Sequence, residues 1–279
     1  MQELLDRRDQ PGRARLKSAA GPSAGSLFTA QLTFDGVHMA DWQFTEALHF
    51  RLGLSDPGPP TACKNQKQDG EECGCTLDKH HIHPVDCPVG PLRNRRHDNL
   101  ADDYAEILEE CGAISRREAF VPEFSARREA WLDVWAYGIP EISDLLLDIT
   151  VRHPLADKYC AAAAATAGAT ALVGQADKET RYPKSGGRSV WPIVYEAYGR
   201  AGPDAEFLLQ LLVASFRRRA HRRGRASGQE LQRWRARLDA TLHRGIAAQL
   251  AAARLGLPGR RPYRRRPLDV TALECGALV

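Results

Sequence analysis

A chain of 279 residues, 43% of them apolar and 27% charged, can bury one large core or two modest ones, which excludes a broadly disordered polypeptide. The Ala/Leu/Val-containing run from Cys160 to Val173 is broken by Thr and Gly and is shorter than the roughly 20 apolar residues of a bilayer span, and the charged start Met1–Arg8 lacks the apolar segment of a secretory signal. No membrane partner is therefore expected, and an intracellular location, nuclear or cytoplasmic, is. The net charge of +4 hides arginine clusters at Arg217-Arg218-Arg219, Arg222-Arg223, Arg225, Arg260-Arg261 and Arg264-Arg265-Arg266, which suit a polyanion and equally suit a solvated helix face.

Residues 1–40 mix Arg, Gly, Ser and Ala and read as a loosely structured lead-in. Asp41 then opens a helix whose first N–H groups it can cap, with Phe44, Ala47, Leu48 and Leu52 at helical spacing and Gly53 at its end. Pro57-Gly58-Pro59-Pro60 forms a boundary, so residues 1–60 are expected to be a connector with one helix.

Between 61 and 97 the chain crowds Cys63, Cys73, Cys75, His83 and Cys87, with His80 and His81 close by. Zinc takes about four N/S ligands, and a closed site stabilises a loop too short to build its own core. Cys63, Cys73, His83 and Cys87 complete such a set, with Cys75 competing for the place of Cys73 and His80 or His81 for that of His83. Seven cysteines, an odd number with four in this short stretch, fit a metal and a reducing compartment better than a disulfide framework.

After His97, Leu100, Tyr104, Ile107, Leu108 and Cys111 define a helix ending at Gly112. Three β-like runs follow, at about 117–122, 130–137 and 144–151. Pro154 begins an Ala-rich helical stretch to Tyr182, Val190–Tyr195 is a fourth strand with Pro192 marking an edge or bulge, and helices are expected over 203–219 and 227–255. In the last, Leu231, Trp234, Leu238, Leu242 and Ile246 keep near-heptad spacing that also suits self-association. The expected units are a knuckle over 61–97, a catalytic domain over 98–202, a helical extension over 203–257 and a disordered tail over 258–279.

Asp133 and Asp148 each lie inside an apolar β-run, where a carboxylate is disfavoured and costly to bury alone. A divalent ion such as Mg²⁺, held by one or two carboxylates and activating a water against a phosphodiester, gives both a reason. Lys178 is placed to orient that water or neutralise phosphate charge. Taken one at a time, the aspartates are better explained as strand-edge residues bonded to arginine or backbone; Lys178 and Tyr182 together shift the balance toward a metal site.

The succession of the Cys-Cys-His-Cys knuckle, Arg96-His97-Asp98, Leu132-Asp133-Val134, Leu147-Asp148-Ile149-Thr150, Lys178, Tyr182 and Val194–Arg200 resembles the C-terminal region of non-LTR retrotransposon reverse-transcriptase polyproteins. The likeness spans roughly residues 15–215, including Ser18–Pro22 and Leu48–Leu54. It implies a zinc knuckle before a restriction-like endonuclease of the PD-(D/E)XK fold, with a mixed sheet flanked by helices and further helices behind. It also implies a metal-dependent nick in target DNA whose freed 3′ end primes reverse transcription. By position, Asp133 and Asp148 become the metal carboxylates, Lys178 the catalytic lysine and Tyr182 a supporting residue, while Arg96 and His97 match an Arg-His pair that contacts DNA. Arg217, Arg218 and Arg222 are the further nucleic-acid candidates, with DNA and secondarily RNA as partners.

The sequence departs from the family pattern at Leu132, which replaces proline, at Thr150, which replaces the third-motif lysine, and at Asp177, where glutamate is usual. No polymerase palm is present, and the chain looks like a detached C-terminal piece whose polymerase is either lost or supplied by a separate reverse transcriptase. The alternative is a catalytically inactive nucleic-acid-binding remnant.

Overall fold

The apolar runs after Gly112 form one four-stranded sheet in the computed structural model, which describes residues 5, 8–21, 23–31, 33–54, 62–125, 129–140, 142–222 and 228–256, the side chains of 220–222 excepted. Strands β1 (Ile114–Phe120), β2 (Trp131–Tyr137) and β3 (Leu145–Arg152) run antiparallel in sequence, and β4 (Val190–Glu196) pairs parallel to β3. The spatial order is β1-β2-β3-β4. As an edge strand, β4 tolerates Pro192, which has no N–H to give to a ladder. Leu145 to Ile149 of β3 are buried throughout, so both faces of the central strand must be covered.

Helices provide that cover. The helix α1 spans Gln10–Ala19, α2 Asp41–Leu52, α3 Ile82–Asp86, α4 Leu92–Glu110, α5 Asp157–Ala165, α6 Ala169–Arg181, α7 Pro203–Arg222 and α8 Glu230–Leu255. Helix α4 packs on β1, β2, β3 and α8; α6 lies on β3 and β4; α7 joins β4 to α8; and α1 lies along α5. Tyr104 of α4 and Tyr195 of β4 meet through their hydroxyls at 2.8 Å in the middle of the core. A smaller cluster of Val121, Phe124, Ala130, Leu132, Leu146 and Tyr182 lies apart from the main core, which holds Val134, Leu145, Leu147 and Ile149.

Several expectations change. The lead-in contains α1, capped by Asp9 Oδ1 on Gly12 N–H, and a 3₁₀ turn at Ser26–Thr29. Asp41 is the first helical residue of α2 rather than its cap, and Gln43 accepts from the Ala40 N–H instead. The buried face of α2 is Ala47 and Phe50, whereas Phe44 and Leu52 are exposed. The Ala-rich stretch is two helices, parted where Gly168 takes φ +82°, a left-handed geometry that glycine alone adopts freely. Helix α4 begins at Leu92 and runs through the boundary expected at 97. The main core draws on Ala14, Phe50, Val85, the sheet and α8 as far as Leu250, so the expected connector, knuckle and helical extension share it. The tail 258–279, with its five arginines, lies outside the described residues. Among the described residues no helix is long and apolar enough to cross a membrane.

Candidate functional site

The knuckle is a short hairpin followed by α3. Cys63 N–H donates to Cys75 O and Cys73 N–H to Asn65 O, at 2.8 and 2.7 Å, which brings the two chain segments together. Asp78 then fixes the approach to α3 by accepting N–H bonds from His80, Ile82 and His83 at 2.8–2.9 Å. Burial opposes charge on Asp78, but these three donors outweigh it and hold the carboxyl below its ordinary range. The result turns the His83 ring to Cys73, with Nε2 3.4 Å from Sγ.

Cys63 Sγ lies 3.9 Å from Cys87 Sγ, and Cys87 Sγ 3.8 Å from Cys73 Sγ. Tetrahedral Zn–S bonds of about 2.3 Å place sulfurs about 3.8 Å apart. All four ligand atoms of Cys63, Cys73, His83 and Cys87 fall within 4.8 Å of one another, so the group can hold a metal ion such as zinc. Cys75 is exposed and His81 stands beside Phe50, 6.2 Å between ring centroids; neither belongs to the set.

The second constellation sits on the sheet. The β2–β3 register pairs Val134 with Leu147, and continuing it by one residue sets Asp133 opposite Asp148. There the ladder ends: the Ile149 N–H donates to Asp133 Oδ2 at 2.5 Å. Lys178, three residues before the end of α6, brings its ammonium onto Asp148 Oδ2. Burial raises the Asp148 carboxyl above its ordinary value, against the pull of Lys178 and with the added push of the Asp133 charge. Lys178 of α6 is thus paired with Asp148 of β3, and the Asp133 charge on β2 acts on the same carboxylate.

His97 completes the arrangement from α4. Its Nε2 lies 3.2 Å from Asp133 Oδ2 and 3.1 Å from Ile149 O, and its Nδ1 lies 3.2 Å from Asp98 Oδ1. Burial opposes charge on the ring, yet Asp133 and Asp98 overcome it and push the pKa up to about 10. His97 is therefore an imidazolium that holds one oxygen of Asp133. Arg117 Nε donates to the Asp133 carbonyl at 2.8 Å and anchors the same residue through its backbone.

Other expected residues are placed differently. Tyr182 caps α6, is 4% exposed and packs among Leu132, Leu146 and Phe124. Arg96 is 3% exposed and gives its guanidinium to Gln249 Oε1 at 2.7 Å, so it ties α4 to α8 inside the fold. Asp177 turns outward to Arg152, at 3.3 Å. Arg217 is exposed but reaches toward Glu230 and Gly228 O at the start of α8. Arg233, one turn further along α8, pairs with Glu110 at the far end of α4. At 1.5 Å per residue that end is about 20 Å from His97, so Arg217 and the exposed Arg218 mark a separate surface. The Arg222 side chain lies outside the described residues.

One acidic residue was not anticipated. The β1–β2 register sets Glu118 opposite Asp133, and Glu118 has φ +51°, unusual for a residue other than glycine. Strand pairing alone reveals that neighbourhood; nothing in the local sequence around Glu118 signals it. The chain matches no protein-family model and no curated protein.

Proposed function

We propose that the chain is a metal-dependent DNA endonuclease derived from a non-LTR retrotransposon. The observation that carries this reading is the Lys178–Asp148 ion pair, with the Asp133 charge acting on the same carboxylate, from residues that the sequence places on three different elements. The element order supports it: a helix, three antiparallel strands, helices and a fourth strand parallel to the third accord with a restriction-endonuclease-like core.

The donor set suits hard-cation chemistry, since burial first and the Asp133 charge after it raise the proton affinity of Asp148, and a divalent ion would offset both. Asp133 and Asp148 would hold an ion such as Mg²⁺, whose contribution there is an activated water and neutralised phosphate charge. His97 and the Ile149 N–H fix Asp133 through Oδ2. Lys178 serves the charge that develops on the phosphodiester. A zinc ion in the Cys63, Cys73, His83, Cys87 set would have a structural role, closing the knuckle against α8, where Ala253 packs beside Cys63 and Cys87.

The rival reading, a catalytically inactive nucleic-acid-binding remnant, draws on Thr150 in the third-motif lysine position and on Asp177 facing Arg152. Supercoiled plasmid incubated with the protein and Mg²⁺ separates the two. Nicking that falls at least a hundredfold in Asp148→Ala is expected; a wild-type protein that binds plasmid without nicking it leaves the remnant.

A further inference from the structure

Beside His97, the first turns of α4, the end of β3 and the start of α5 enclose a cleft of about 700 Å³. Arg93, Arg96, Arg152 and Lys158 bring four cations to its lining. Three carboxylates share it: Asp98 is engaged by His97, Glu118 stands across the sheet from Asp133, and Asp86 ends α3. Helix α5 starts in this wall at Ala156 without a side-chain cap, which adds a positive dipole end.

The wall also contains buried donors that no described residue satisfies. Arg96 Nε, His153 Nε2 and the Tyr159 hydroxyl have no hydrogen-bond partner, in side chains 3%, 1% and 5% exposed. His153 Nδ1 accepts the Leu155 N–H at 3.2 Å, which leaves the proton of the neutral ring on Nε2. All three atoms are therefore donors. These donors stand in the same wall as four cations and an uncapped helix start, a setting that suits a ligand supplying several anionic oxygens.

We infer that this cleft is a phosphate subsite, taking the backbone phosphate next to the one presented to Asp133 and Asp148. The phosphate chemistry stands on the cleft itself; its origin in a nucleic-acid strand rests on the nuclease reading. His97 lines the cleft and holds Asp133, so the two sites share a wall.

The test uses the full chain with two probes, a short fluorescent DNA duplex and inorganic phosphate. Arg93 and Lys158 are exposed, so the double variant Arg93→Glu/Lys158→Glu keeps the fold, and Tyr159→Phe removes one hydroxyl without changing charge. The double variant is expected to weaken duplex binding at least tenfold and to flatten the salt dependence by about two log units per log unit, near 0.9 for each lost contact. Tyr159→Phe should weaken it about threefold. Inorganic phosphate should move the His153 imidazole resonances in the wild type and not in the double variant. Phosphate that moves His153 while duplex binding ignores the variants keeps the subsite and overturns a strand as its source. Unchanged duplex binding with unmoved His153 resonances overturns the subsite. Asp148→Ala should retain duplex affinity, so cleft-dependent binding by a wild type that never nicks would sink the nuclease reading and leave the subsite standing.

Discussion

His97 shows how one side chain links charge to stability. Its folded pKa of about 10 lies above the ordinary value near 6.5 because Asp133 and Asp98 hold the proton on. The folded state thus binds more protons than the unfolded one between those values, and stability must fall as pH rises through that window. The contribution is complete below about pH 6.5 and lost above about pH 10. Urea denaturation of His97→Gln should show a wild-type advantage at pH 6 that shrinks steadily by pH 9.5; a difference independent of pH would mean that the imidazolium is not formed. The composition of this site was legible in part. Asp133 and Asp148 stood out as carboxylates in apolar runs, and Lys178 was placed with them by resemblance. The links of His97 to Asp133 and of Glu118 to its strand partner were not legible, because both depend on register and on how α4 crosses the sheet. Arg96 and Tyr182 stand out by residue type, whereas their burial, and the bond of Arg96 to Gln249, depend on packing from distant parts of the chain.

At the scale of elements, helix α6 places the lysine, and its contact with the sheet depends on a missing side chain. A Cβ on Gly174 would lie 2.8 Å from Val194 Cγ1, so α6 approaches β4 more closely than alanine permits without movement. Gly174 precedes Lys178 by one helical turn, on the same face. Gly174→Leu is expected to push α6 off β4, destabilise the protein by about 1–3 kcal/mol and separate Lys178 from Asp148, so that nicking falls more than stability explains. Equal nicking per folded molecule would show that α6 adjusts without moving its lysine. Periodicity found the long elements, since α4, β2, β3 and α8 carry continuous apolar patterns. It misjudged α2, where Phe50 rather than Phe44 is buried, because Phe50 stacks on Tyr198 at 4.4 Å from a distant part of the chain. It also ran α5 and α6 together, because alanine-rich composition favours helix on both sides of Gly168.

The whole molecule is organised around α8. Its Trp234, Leu238, Leu242, Ile246 and Leu250 enter the same core as the sheet, and its Ala253 closes the knuckle beside Cys63 and Cys87. Gln249 Nε2 and Arg96 both reach Val85 O, which ties the knuckle to α4 and α8 at one carbonyl. The near-heptad spacing of this helix was legible, but spacing does not say whether such a stripe faces another molecule or its own sheet. The two cases diverge at Leu238, which is 1% exposed. If the stripe served self-association, Leu238→Asp would halve the mass seen by light scattering and leave a cooperative fold. Because the stripe faces the core of its own chain, the substitution instead buries an unpaired carboxylate and should cost about 4 kcal/mol or more. The expected outcome is a urea midpoint lowered sharply or lost, with the Trp234 environment and the knuckle changing together, since both hang on the same helix. A variant that keeps its wild-type midpoint while its mass falls would overturn the placement of α8 in the core.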